Sequence, residues 1–266
     1  MRTHLTPLLL PLFLLVCPQW AEAGSFRAAP IKIFFDAKTK TTVLKVTNDG
    51  GEKVTVQLEA FEWLQDEAGK EQYNPTKDII FFPKIADIAA GEEKIIRVGY
   101  QGQKVGNIEK TYRLFLQELP VSSPGEVSVK MAIRMGLPVF VEPEKKLKDR
   151  KIIKLELADG SLSVTVKNAG NSHFVVGKIN VKGLDESQSE VFSKEKGGWY
   201  VLAGASKAFP VDLPKEDCLK ASKVKVEAEA EKDVMTSTLA VDKALCADKP
   251  KPPMREALSE SDGEKE

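Results

Sequence analysis

Apolar residues recur at every second position along much of this chain, and that period constrains the fold more than any other feature. Between Val54 and Ala60, valine, leucine and alanine alternate with threonine, glutamine and glutamate. Side chains of a β-strand point alternately to its two faces, so this spacing is typical of a strand with one buried face. Similar runs follow at short intervals, separated by Gly, Asn, Asp or Pro. The chain is therefore predicted to be all-β.

A polar stretch rich in lysine and glutamate, residues 142–150, separates two groups of strand-like runs. Many short strands at regular spacing on each side of such a stretch predict two β-sandwiches. We assign residues 24–143 to an N-terminal domain and residues 144–247 to a C-terminal domain. Residues 248–266 are rich in Pro, Lys and Glu and are predicted to be a disordered tail.

The first residues have the features of a secretion signal. Arg2 is followed by an apolar run from Leu5 to Val16, and small residues occupy Ala21 and Ala23. The run is too short to cross a bilayer as a stop-transfer helix, and the small residues fit a cleavage site. We predict that residues 1–23 are a cleavable signal peptide.

Removal of that segment leaves two cysteines, Cys218 and Cys246. An even pair in an oxidising compartment predicts one disulfide bond between them. The whole chain has 39 basic and 39 acidic residues, and the excised segment contains one of each, Arg2 and Glu22. A mature chain without net charge lacks the electrostatic signature of a nucleic-acid-binding protein.

A search for catalytic chemistry finds almost nothing. His173 is the only histidine after the predicted cleavage and follows a turn, where a lone histidine is usually a surface residue. The sequence has no Gly-rich phosphate loop, no metal-spaced His/Cys cluster and no nucleophile elbow. We therefore predict no catalytic residue, metal, cofactor or small-molecule substrate, and we expect a binding protein that is not an enzyme.

The segment from Val127 to Val141 has a second possible role. Its apolar residues share one face over the first nine positions, whereas Ser128, Lys130 and Arg134 lie on the other. Such a strand can bury its apolar face in its own sandwich. Alternatively, it can be an edge strand that offers this face to a partner, which proteins normally avoid unless a partner strand pairs there.

Several short motifs occur in a characteristic order, and these are Asn48-Asp49, Ile88-Ala89-Ala90-Gly91, Arg97-Val98, Tyr112-Arg113-Leu114, Glu118-Leu119-Pro120 and Asn168-Ala169-Gly170-Asn171. With the signal peptide, this order and spacing resemble the PapD-like periplasmic pilus (fimbrial) assembly chaperones over nearly the whole mature chain. Leu137-Pro138-Val139-Phe140 is more similar to the archaic chaperone–usher branch than to the best-known one.

The resemblance implies two immunoglobulin-like β-sandwich domains set at an angle, in a periplasmic protein. Such chaperones bind pilus subunits (pilins) by donor-strand complementation, in which a chaperone strand fills the gap left by a missing subunit strand. They then deliver the subunits to an outer-membrane usher. The positions that match the family's donor residues are Val127, Val129, Met131, Ile133 and Met135.

The resemblance also implies a basic anchor for the carboxylate at the subunit's C-terminus. Lys32 occupies the position of the first family cation, but Pro138 replaces the second, so Arg113 and Arg134 are both candidates for it. Glu109 matches a residue that holds the two domains together. Its usual arginine partner is replaced by Glu142, so the bridge is either lost or rebuilt, with Lys145 or Lys146 as possible partners.

Two other classes of protein remain as alternatives. A structural pilus subunit or adhesin would carry its own donor extension at the mature N-terminus, and residues 24–30 are too short for one. An exported sandwich enzyme, such as a hydrolase or a metal dismutase, is disfavoured because only one histidine remains.

Overall fold

The computed structural model describes residues 26–66, 68–104, 106–120 and 131–246. The predicted signal peptide, the whole predicted tail and the donor positions Val127 and Val129 lie outside these residues. The predicted domain boundaries stay a proposal, which the two separate cores described below support.

Alternating apolar residues form the strands of the first sandwich, as the period predicts. Its ten strands are β1 (Phe26–Ala29), β2 (Ile33–Phe35), β3 (Thr41–Asn48), β4 (Val54–Gln65), β5 (Glu71–Pro75), β6 (Ile79–Phe82), β7 (Ile85–Ile88), β8 (Glu93–Tyr100), β9 (Lys110–Glu118) and β10 (Arg134–Val141). One sheet has the order β1-β3-β8-β6, and the other has the order β2-β10-β9-β4-β5, with β7 also paired to β4. Inward residues such as Leu44, Val56 and Leu114 are fully buried between the sheets and form the first core.

The second sandwich starts after the polar stretch. Its strands are β11 (Arg150–Ala158), β12 (Ser161–Asn168), β13 (Phe174–Val175), β14 (Lys178–Leu184), β15 (Glu190–Gly197), β16 (Tyr200–Val201), β17 (Ser206–Asp212), β18 (Lys223–Ala230) and β19 (Asp233–Ala240). One sheet has the order β11-β12-β17, another has the order β15-β14-β18-β19, and β13 pairs with β16. Val164, Val181 and Val226 are fully buried in the second core.

The structure departs from the sequence pattern in several places, and β10 begins only at Arg134 within the run from Val127 to Val141. The apolar segment from Phe174 to Val181, which the sequence pattern would place in one strand, is broken at Val176 and Gly177 between β13 and β14. The short helix α1 (Lys215–Lys220) follows Pro214, where no helix was predicted, and a 3₁₀ helix spans Lys243–Leu245. β5 was missed because almost all its residues are exposed, so it lacks the alternating pattern.

The fold is the predicted all-β architecture of two immunoglobulin-like sandwiches. A disulfide bond joins Cys218 and Cys246, whose Cα atoms are 5.6 Å apart, and both cysteines are buried in the second core. Among the residues that the structure describes, no helix is long and apolar enough to span a membrane.

Candidate functional site: an open strand edge and a basic domain interface

Strand β10 is paired differently along its two halves. Val139, Phe140 and Val141 lie between β9 on one side and β2, in parallel orientation, on the other. From Arg134 to Pro138, every pairing among the described residues is with β9. The ladder with β9 continues to Ile133, whose carbonyl oxygen accepts a hydrogen bond from the backbone of Glu118 at 2.9 Å. Among the described residues, no strand pairs with the second flank of residues 134–138, so this flank is an edge at which another strand can add.

The apolar side chains at every second position from Met131 to Val139, here called the apolar stripe, also differ between the two halves. Leu137 and Val139 are buried in the first core, whereas Ile133 and Met135 are half-buried and pack against it. Met131 is 87% exposed. Burial of an apolar side chain of this size lowers the free energy, so the exposed end of the stripe favours binding of a partner.

The three candidate anchor cations lie at opposite ends of this edge. Arg113 is the cross-strand neighbour of Pro138, and Lys32 directly precedes Ile33, which pairs with Val139. Both therefore lie where the open flank ends. Arg134 lies at the other end, exposed, with its guanidinium carbon 4.1 Å from the centroid of the Phe115 ring.

Arg113 is a buried cation, only 6% exposed. Its guanidinium carbon lies 3.8 Å from the centroid of the Trp63 ring, and its Nη1 donates a hydrogen bond to the carbonyl oxygen of Gly136 at 3.1 Å. Its Nε has no hydrogen-bond partner, and no carboxylate in the described part of the chain forms an ion pair with it. A buried charge without a counter-ion is costly, so this site favours an anion.

A small polar network lies beside Arg113. Glu71 accepts hydrogen bonds from the Tyr73 hydroxyl and from Nε1 of Trp199, which belongs to the second sandwich. Burial, together with the Glu71 hydrogen bond and charge, raises the pKa of Tyr73 to about 12, although nearby Arg113 acts in the opposite direction. Tyr73 therefore remains a neutral hydroxyl at physiological pH.

A third apolar cluster joins the sandwiches. Trp63 and Phe140 from the first pack with Tyr200 and Leu202 from the second. The side-chain amide of Gln65 donates to the carbonyl oxygen of Tyr200 at 2.9 Å, and its carbonyl oxygen accepts from the Leu202 backbone at 3.0 Å. The last residues of β4 thus bind the second sandwich directly.

His173 is not the surface residue that its position after a turn predicted. Its side chain is only 13% exposed, and its ring stacks on Phe140 with the centroids 3.6 Å apart. Its Nδ1 lies 2.7 Å from Oε1 of Glu109, which also accepts the His173 backbone N–H at 2.9 Å.

The Glu109 side chain therefore contacts the second sandwich through His173, and not through Lys145 or Lys146, while its backbone N–H donates to the carbonyl oxygen of Asn171 at 2.9 Å. Lys146 instead forms an ion pair with Glu142 at 2.6 Å. The Glu109 side chain is fully buried, and its second carboxylate oxygen has no hydrogen-bond partner. No local pattern indicates this contact, because Glu109 and His173 are 64 positions apart.

Within the described residues, no group of three or more His, Cys, Asp or Glu residues could hold a metal ion. The features that stand out are an open strand edge and cations without carboxylate partners. Together they are the features expected of a class of protein in which two sandwiches receive an extended polypeptide strand.

Comparison with known proteins agrees with this class. Residues 25–147 match the family model described as pili and flagellar-assembly chaperone, PapD N-terminal domain. The first sandwich therefore matches the N-terminal domain of the PapD-like pilus chaperones, which confirms the resemblance inferred from the sequence. No curated protein sequence matches the chain.

Solved structures share the fold of both sandwiches. One match is a chain of the CsuC–CsuE chaperone–tip adhesion subunit pre-assembly complex, from the archaic chaperone–usher Csu pili of Acinetobacter baumannii. It is 22% identical to this chain, with a TM-score of 0.54, and the match covers 80% of this chain and 97% of that chain. The Salmonella enterica SafA pilin–SafB chaperone complex gives 13% identity and a TM-score of 0.53, covering 81% and 97%. The E. coli chaperone DraB gives 16% identity and a TM-score of 0.50, covering 82% and 98%.

Proposed function

We propose that this protein is a periplasmic chaperone that captures pilus subunits by lending them β10 and delivers them to an outer-membrane usher. The observation that carries the proposal is the open flank of β10 together with the apolar side chains on it and just before it. Met135 on the strand and Ile133 before it are half-buried, and Met131 is exposed. A subunit that lacks one strand of its own sandwich needs apolar side chains at every second position and a backbone to pair with. Burial of each such side chain contributes about 1.5–3 kcal/mol.

The end of the open flank supports a direction for the bound strand. A subunit strand that runs parallel to β10 would have to stop at Ile33, because β2 occupies the flank from Val139 onward. Its C-terminal carboxylate would then lie beside Lys32 and Arg113. A strand that runs antiparallel would instead end near Arg134. We propose the parallel arrangement, with exposed Lys32 as the first contact and Arg113 as the buried second cation.

The donor strand is tested with Met131→Asp and Ile133→Asp. A carboxylate on this face cannot enter an apolar groove without a desolvation cost, so each variant should stay folded but lose capture of the cognate pilin by about a hundredfold or more. Co-purification from periplasm and titration calorimetry measure the loss, with Lys110→Asp on the neighbouring strand as a control. Normal capture by both variants would exclude β10 as the donor.

The anchor is tested by comparing Lys32→Ala with Arg134→Ala. Loss of a charge-assisted contact to the carboxylate should weaken capture about tenfold in Lys32→Ala and leave it nearly unchanged in Arg134→Ala. The reverse result would place the subunit terminus at the other end of the edge and overturn the parallel arrangement.

Delivery is tested separately, by finding where the protein resides during assembly. A chaperone should form a one-to-one complex with a small pilin and be absent from sheared pili. Its presence as a stoichiometric pilus component would favour the structural subunit or adhesin alternative.

A further inference from the structure

The ring of Tyr200 lies against both anchor cations, although it belongs to the other sandwich. The Lys32 Nζ is 5.4 Å from the ring centroid, and the Arg113 guanidinium carbon is 5.6 Å from it. Both distances are within the range at which an aromatic ring attracts a cation. Tyr200 is only 8% exposed and Arg113 is buried, so water weakens the attraction between these two little, whereas exposed Lys32 keeps part of its hydration.

Contacts on all sides hold the Tyr200 ring in place. Trp63 meets it edge to face with the centroids 5.2 Å apart, and Phe140 lies 6.0 Å away. Its backbone oxygen is bound by Gln65, which also accepts from Leu202. The ring therefore has a fixed position relative to the first sandwich.

Two like charges that approach the same ring repel one another, most strongly where water is scarce. A ring that attracts both offsets part of this repulsion before any anion arrives. The aromatic face also restricts the long Lys32 side chain, whose ordering on binding would otherwise cost entropy.

We infer that Tyr200 is a positioning residue for the carboxylate anchor: the second sandwich supplies the aromatic face that holds Lys32 and Arg113 together for a main-chain carboxylate. This inference rests on the proposed function. It makes the packed domain interface a part of the capture site, so the first sandwich alone would carry an incomplete anchor.

The test uses the full-length protein and one synthetic β-strand peptide of alternating valine and threonine, with either a free carboxylate or an amide at its C-terminus. Calorimetry of both forms isolates the contribution of the carboxylate. In the wild type, amidation should weaken binding about tenfold. In Tyr200→Leu the same change should weaken binding about threefold or less, because the cations are no longer held together. Tyr200→Phe keeps the ring and should retain the tenfold effect.

Each outcome is decisive for one of the two proposals. If the wild type does not bind the peptide or does not distinguish its two forms, the proposed strand or anchor fails. If Tyr200→Leu weakens both forms equally and keeps the tenfold effect, Tyr200 is merely structural and the positioning role is wrong. If Tyr200→Leu does not fold, Gln65→Ala replaces it, since it frees the backbone of Tyr200 without removing the ring; an unchanged effect of amidation there would also overturn the inference.

Discussion

The two sandwiches close their cores in different ways. In the second, buried Cys218 from α1 is bonded to buried Cys246, and α1 contacts β14 and β15. In the first, the apolar stripe of β10 and the residues just before it runs out of the core, from fully buried Val139 to Met131, which is 87% exposed. The same architecture is thus complete in one half of the molecule and left open along one strand in the other. Three changes test this comparison.

The largest effect is expected from the same substitution placed in each half. Val226→Asp puts a carboxylate into the closed second core, where Val226 is fully buried, and should lower the free energy of unfolding by about 4 kcal/mol or more. Ile133→Asp should cost only about 1 kcal/mol, because Ile133 is half-buried at the open edge. Urea unfolding followed by circular dichroism measures both. Equal losses would show that the edge is as closed as the second core.

A smaller effect should follow removal of the disulfide. Cys218→Ala with Cys246→Ala frees the 28-residue loop and should cost about 2–4 kcal/mol. Denaturation with and without reductant gives the measurement, and the double variant, which should not respond to reductant, is the control. An unfolding midpoint of the wild type that reductant does not move would contradict the prediction.

The smallest effect concerns the junction between the halves. His173→Leu removes the side-chain partner of buried Glu109 and should lower stability by about 2 kcal/mol, because the carboxylate keeps only the backbone N–H of residue 173. His173→Gln retains a donor and should recover part of the loss. Thermal unfolding compares the three proteins, and full stability of the leucine variant would mean that the contact is dispensable.

Periodicity was enough to predict most of the fold. Strands such as β4 and β12 bury every second residue, so the spacing of their valines and leucines indicates both the strand and its inward face. β5 was missed because it packs few side chains inward, and α1 is a single short helix without a helical repeat in the sequence. The alternation of apolar residues does not predict an element whose side chains are mostly exposed or whose burial depends on distant parts of the chain.

The site was predictable only in part, for a different reason. Arg113 and Arg134 both lie on strand faces that point away from the first core. The sequence does not indicate that the guanidinium of Arg113 packs on the Trp63 ring whereas Arg134 remains exposed. Tyr200 and His173 come from a part of the chain far from the cations and the carboxylate that they contact. Packing between the sandwiches brings them together, and alternation within single strands contains no information about it.

The short length of β2 has a consequence for the stoichiometry of the proposed subunit binding. Three residues, Ile33–Phe35, close the flank of β10 beyond Val139 and leave one bare stretch. The open flank has room for a single added strand, so each chaperone molecule would bind one subunit at a time. The amount of bound subunit would then be limited by the number of unoccupied chaperone molecules, because an occupied molecule has no second site.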